Sequence, residues 1–232
     1  MSYHPFAAVE IAPPDPILGL SEKFRADPAE QKINLGIGVY QDESGVNPVL
    51  KSVKQAERMW LEQEHTKDYL GMAGDAKFGK LAQHLLFGAD HPVLAQGRAA
   101  TLHAPGGTGA LRVGADFLHF QFPNATVWMS DPTWANHIGI FRDAGLKTDT
   151  YAYYDAKTNG LHFEAMMASL EKVPEGDVVL LHACCHNPTG VDPTPAQWDQ
   201  IVDLFQRRPI TPFLDFAYQG FGKGLEADAY AV

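Results

Sequence analysis

Cysteine is scarce in this chain: two residues, Cys184 and Cys185, stand side by side among 232. Neighbouring cysteines do not normally bridge each other in regular structure, so no disulfide framework is implied and a reducing, cytoplasmic setting is expected. Basic residues are outnumbered, Lys+Arg 18 against Asp+Glu 28, for a formal net charge of -10. That balance argues against a non-specific nucleic-acid binder, but it says nothing about a small anion held by a few local donors. No apolar run is long enough to span a bilayer, so no membrane partner is expected. Residues 1–16 have no basic region followed by an apolar run, so no signal peptide is expected. The signature of disorder is missing too, since 45% of the residues are hydrophobic and 20% charged. The length suits one large domain, or one domain with an appendage.

What is present is punctuated and then periodic. Pro13, Pro14 and Pro16 exclude a regular element at the start, which reads as an extended arm. Residues 33–40, Ile-Asn-Leu-Gly-Ile-Gly-Val-Tyr, look strand-like. A helix is expected next, with Val49, Val53, Ala56 and Trp60 on one face. Residues 107–120 read as a helix with Leu111, Ala115 and Leu118 on one stripe, and 126–129 as a short strand. Phe163, Met166, Met167 and Leu170 have helical spacing. Residues 178–185 are almost continuously apolar, as a strand covered on both faces should be. Thr194-Pro195-Ala196-Gln197 is a capping box with proline at the first helical position, opening a helix that turns Trp198, Ile201, Val202 and Phe205 inward. Residues 211–215 read as another strand, with Pro212 tolerable only near its start. Helices alternating with buried strands argue a mostly parallel sheet with crossover helices, an α/β fold in three layers, α/β/α.

In an open parallel sheet, ligands sit outside the carboxyl ends of the strands. Three places are selected. Strand 126–129 runs into Ser130-Asp131-Pro132-Thr133-Trp134, strand 178–185 into His186-Asn187-Pro188-Thr189-Gly190, and strand 211–215 ends at Asp215 with Tyr218 shortly after. An aromatic plane, an amide, a carboxylate and a phenol would converge on one edge. Each has a plain structural reading: Trp134 as core, Asn187 as a turn former before proline, Asp215 as a helix cap. The coincidence at three strand ends favours a site.

A fourth element, Pro105-Gly106-Gly107-Thr108-Gly109, opens a helix. Backbone N–H groups at a helix start, with the Thr108 hydroxyl, can hold a phosphate, although a plain turn reads the same way. No Gly-Lys-Ser/Thr follows, and the spacing is not that of the dinucleotide fingerprint. Strand alternation puts His182, Cys184 and His186 on one face and Cys185 on the other. Three such groups could approach a metal or support thiol chemistry, but a buried strand rarely bends enough, so no metal is expected.

The runs NLGIGVY, PGGTGALR, HACCHNPTGVDPT and FLDFAYQGF resemble fold-type I, class I aminotransferases that use pyridoxal 5'-phosphate, in the aspartate/aromatic subgroup. The likeness extends in order from Ile33 to Asp228. It implies an N-terminal arm over 1–14, the first part of a small domain over 15–45 and the cofactor-binding large domain over 46–232. It implies that Asp215 pairs with the pyridinium nitrogen, which lets the ring accept the electrons left when the substrate Cα loses its proton. Tyr218 and Asn187 would bond the phenolic oxygen, and Trp134 would stack on the ring. Gly106, Gly107 and Thr108 would hold the phosphate, which Tyr69 would reach from a partner subunit of a homodimer. Gly38, with Trp134 and Asn187, would meet the substrate, an amino acid (aspartate, glutamate or aromatic) or a 2-oxo acid. His137, and His182 with it, would support Asp215 from behind.

The resemblance also implies a Schiff-base lysine a few dozen residues beyond the aspartate, and arginines after it. The sequence ends at Val232, and Lys223 lies too close to Asp215 and in a different context. The expectation is therefore of a truncated chain without its catalytic lysine, whose intact form transfers amino groups. The alternatives are a remnant that at most binds cofactor or a partner subunit and, more remotely, a metal or thiol hydrolase.

Overall fold

A computed structural model describes residue 10, residues 16–33 and residues 38–232. The expected arm falls largely outside the described residues; of the strand expected over 33–40, residues 34–37 lie outside them, and residues 33 and 38–40 are not in a strand. The chain divides into two compact units, residues 1–68 and 69–232.

The first unit holds α1 (Pro16–Ala26) and α2 (Lys51–Gln63). The α2 helix clusters with this unit and buries none of its residues; Val53 and Trp60 are exposed, and Val49 precedes the helix.

The second unit begins with α3 (Ala76–Phe87) and the single turn α4 (Pro92–Ala95). Asp75 caps α3, its carboxylate accepting from Phe78 N–H at 2.6 Å. There follow α5 (Gly106–Gln121), β1 (Thr126–Asp131), α6 (Ala135–Asp143) and β2 (Lys147–Ala152). A small antiparallel pair, β3 (Tyr154–Asp155) and β4 (Gly160–Leu161), leads to α7 (Phe163–Leu170). The chain continues through β5 (Val178–His182), α8 (Pro195–Arg207), β6 (Thr211–Asp215) and the short α9 (Leu225–Asp228).

Four strands form a parallel sheet in the order β2-β1-β5-β6. Strand alternation splits the side chains between two cores. Val127, Met129, Val178 and Leu180 face α5 and α6, meeting Leu111, Ala115, Leu118 and Phe141. Val179 and Leu181 face α7 and α8, meeting Met166, Leu170, Trp198, Ile201 and Leu204. The expected three layers are therefore present, and β5 lies inside the sheet with every residue buried.

The strand ends at His182, three residues before the expected limit. The Asp192 carboxylate explains the early stop: it accepts the N–H of Cys185 at 2.7 Å and of His186 at 2.8 Å, while Cys185 takes a φ of 49°. Those amides are thereby removed from any ladder. The α8 helix starts as expected, with Thr194 and Gln197 forming both bonds of the capping box, and it buries Trp198 and Ile201, while Val202 is exposed. Asp177 pins the opposite, amino edge of the sheet, accepting from Thr126 N–H at 2.9 Å and from the Trp128 indole at 2.8 Å. Among the described residues no helix is long and apolar enough to cross a membrane.

Candidate active site

Parallel strands joined by helices point all their carboxyl ends to one edge, and the helices begin at that edge. His182 and Asp215 are register partners at the ends of β5 and β6. Both lie on the face covered by α6, because their strand neighbours Leu180 and Phe213 pack into that core. Trp134 immediately precedes α6, and His137, in its first turn, is fully buried.

The hydrogen bonds here have a direction. Asn187 backbone N–H can only donate, and it meets His182 Nδ1 at 3.4 Å. His182 Nε2 therefore carries the proton and donates to Thr133 Oγ1 at 3.2 Å. The Thr133 hydroxyl donates to His137 Nδ1 at 2.8 Å, which leaves His137 Nε2–H to donate to Asp215 Oδ2 at 2.8 Å. Two imidazoles and a hydroxyl thus connect a backbone amide to one carboxylate oxygen. Thr133 has no role in the sequence reading. Its spacing of four from His137 on an incipient helix is the signal that could have found it.

The electrostatics follow from burial. Asp215 lies below the usual carboxylate range: burial pushes it up, but the His137 hydrogen bond and the charge that His137 and His182 carry when protonated outweigh that. Burial, aided by repulsion from His137 and against attraction to Asp215, pushes His182 down to about 4. His186 is pushed down to about 3, again chiefly by burial. It is held between Ser130 Oγ and Thr189 Oγ1, both at 2.8 Å, and stacks on Tyr153 with ring centroids 4.0 Å apart.

The other expected residues fall as follows. Asn187 Nδ2 donates to the Tyr218 hydroxyl at 3.4 Å, so the amide and the phenol converge. Trp134 is partly buried against the α6 core and meets His137 edge-on at 5.3 Å, so it belongs to the core and to the site edge together. Gly106, Gly107 and Thr108 form the exposed first turn of α5, where no side chain caps the N–H groups and no acidic residue stands. Gly106 has a φ of 65°, a conformation that favours glycine. Gly114 of α5 rests on Phe213 of β6, so close that a Cβ would come within 2.8 Å of the ring. The helix start lies about 12 Å from that contact at 1.5 Å per residue, beyond the carboxyl ends of the strands. Tyr69 is fully exposed at the start of the second unit. Gly38 belongs to the first unit, so the cluster is described without it.

The strand expected to run on through Cys184 and Cys185, on which the remote metal or thiol alternative at 182–186 rested, does not form; β5 stops at His182. The His182 and His186 rings instead meet each other at 4.2 Å. Among the described residues no group of three or more histidine, cysteine or acidic side chains is placed to hold a metal ion. Burial also pushes both cysteine thiols up, so neither is a ready nucleophile at neutral pH. A shallow cleft of about 230 Å³ at the opposite edge, around residues 122–125 and 175–177, contains Asp177, already committed to Thr126 and Trp128.

This donor set suits one kind of group. An exposed, uncapped helix start favours an anion; a carboxylate held ionised by a buried imidazole favours a protonated ring nitrogen; an amide beside a phenol favours a phenolate oxygen. Pyridoxal 5'-phosphate presents all three.

Comparison with known proteins agrees. The family model for aminotransferase class I and II matches residues 30–232. An aspartate aminotransferase of Salmonella typhi is 54% identical over 224 residues, 97% of this chain and 57% of that protein. An aromatic-amino-acid aminotransferase of Pseudomonas aeruginosa is 52% identical, covering 98% of this chain and 57% of the relative. The crystal structure of an aromatic-amino-acid aminotransferase from Burkholderia pseudomallei, covalently bound to pyridoxal phosphate, superposes with a TM-score of 0.94 at 51% identity, covering 99% of this chain and 57% of that one. The chain thus spans little more than half the length of these relatives. With this match over most of its length, the chain belongs to the class I and II aminotransferase family.

Proposed function

We propose that these residues form the cofactor-holding part of an enzyme that moves an amino group between an L-amino acid, aspartate, glutamate or aromatic, and a 2-oxo acid. The observation that carries the reading is the Asp215–His137 bond at the end of a one-way chain of hydrogen bonds. Pyridoxal phosphate, when bound, supplies a pyridinium ring that takes up the electron pair released at the substrate Cα.

The chain's own groups prepare that chemistry. Asp215 holds a proton at the ring nitrogen, and His137 keeps the carboxylate charged so that it can do so. Asn187 and Tyr218 bond the phenolic oxygen. Trp134 covers the ring and, with Asn187, lines the substrate side. The first turn of α5, Gly106 to Thr108, takes the phosphate, and Tyr69 serves the site of a second subunit in a homodimer. Residues 46–232 act as the large domain and 15–45 as the start of a small one.

The test is calorimetric titration of the chain with pyridoxamine 5'-phosphate, which has no aldehyde to react with surface lysines. One saturable site is expected, weakened about tenfold or more by D215A, since a charge-assisted bond contributes roughly 1.5–3 kcal/mol. No saturable binding, or equal binding by D215A, overturns the reading.

A further inference from the structure

Outside the chain of histidines lies a second buried carboxylate with an unusual set of partners. Asp228, 5% exposed, accepts three backbone N–H groups from the loop that follows β6. Its Oδ2 takes those of Gly220 at 2.8 Å and Gly222 at 2.9 Å, and its Oδ1 takes that of Lys223. Successive amides turned inward form a concavity that binds anions. Here the chain fills that concavity with its own carboxylate.

The loop is shaped for this contact. Gly220 and Gly224 have φ values of 93° and 116°. A Cβ on Gly222 would sit 2.7 Å from Asp228 Oδ1 and 3.2 Å from Cys185 Sγ. The same loop begins with Tyr218, whose carbonyl accepts from Phe221 N–H at 3.1 Å. Gln219 ties it to α3, donating to Leu85 O at 2.9 Å. Every amide held by Asp228 therefore lies within five residues of Tyr218, whose hydroxyl meets Asn187.

We propose that Asp228 is a positioning residue for Tyr218: by gathering the amides of residues 220–223 it sets the turn that presents the Tyr218 hydroxyl to the Asn187 amide. Asp228 itself touches no ligand. The consequence for a ligand rests on the cofactor reading above, in which these two groups share the phenolic oxygen; the presentation of Tyr218 does not.

Two measurements separate the claims. In the ligand-free chain, NMR follows the Asn187 side-chain amide and the exchange of the Gly220, Gly222 and Lys223 amides. Y218F shifts the Asn187 signal, and D228N is expected to shift it the same way while exposing the three loop amides. G222A, which displaces the carboxylate without removing its charge, is expected to do likewise. If D228N or G222A exposes the loop amides but leaves the Asn187 signal as in wild type, Asp228 only staples the loop and the proposal is overturned. The second measurement compares dissociation constants for pyridoxamine 5'-phosphate and its 3-deoxy analogue. Wild type should favour the hydroxylated ligand about tenfold, and Y218F, D228N and the double variant should all lower that preference about fivefold, without adding up. A preference lowered by Y218F and untouched by D228N overturns the proposal. No preference in wild type, with the Asn187 shifts as expected, sinks the cofactor reading and leaves the positioning of Tyr218 supported.

Discussion

Removing the imidazole behind Asp215 should raise that carboxyl's pKa and lower stability at neutral pH. His137 is fully buried and donates to Asp215 Oδ2 at 2.8 Å, while the Asp215 side chain is 19% exposed. In H137A the carboxylate keeps its burial and loses its principal counterweight, so its pKa moves from below 3.8 to above it. The sign follows from linkage. In wild type the depressed pKa contributes stability above the unfolded value, lost as pH falls through the folded one; in H137A the raised pKa costs stability above the folded value, relieved by acid. Breaking a fully buried pair costs about 3–5 kcal/mol, and water reaching Asp215 moves the expectation to the lower end, about 3 kcal/mol including the cavity. Urea unfolding at neutral pH gives the total. Carbon-detected NMR of the aspartate carboxyls gives the pKa directly, untouched by the cavity. An Asp215 titration in H137A at or below its wild-type position would refute the assignment of His137 as the group that keeps Asp215 ionised.

Three further outcomes are expected. D177A should lose about 3 kcal/mol in urea unfolding, because it strands the Trp128 indole and the Thr126 amide at the amino edge of the sheet; a loss under 1 kcal/mol contradicts that pin. T194A should cost about 1 kcal/mol and T194S much less, since serine keeps the capping oxygen; equal losses would mean the box contributes nothing. Stability should fall as pH drops from 6.5 toward 4, by up to about 1.4 kcal/mol per pH unit for each imidazole that stays neutral when folded. His182, pushed down to about 4, and His186, to about 3, bind protons only on unfolding in that window, so H182N and H186N should each flatten the slope; unchanged slopes would contradict their burial as neutral groups.

The parts of this fold that were legible are those whose signal is local. The capping box at Thr194 needs only residues three apart, and β5 declares itself by an apolar run buried on both faces. β2 was missed because Lys147, Thr148, Asp149 and Thr150 form a polar edge strand with no apolar alternation. The early end of β5 was hidden because its cause, Asp192, acts through tertiary hydrogen bonds to Cys185 and His186. For the site, the strand-end rule singled out Trp134, Asn187, Asp215 and Tyr218, whereas His137 came from family likeness alone. Thr133 and Asp228 went unread, since a small hydroxyl and a carboxylate near a helix start each have ordinary local explanations.

The central claim is that Asp215 holds a proton on a pyridine nitrogen at the carboxyl edge of this sheet. Nitrogen NMR of ring-labelled pyridoxamine 5'-phosphate bound to the chain tests it most directly. The account predicts a protonated ring nitrogen with wild type, persisting at a pH where the free ligand has lost that proton, and a neutral one with D215A. A neutral ring nitrogen on the wild-type chain, or a protonated one that D215A leaves unchanged, would contradict it.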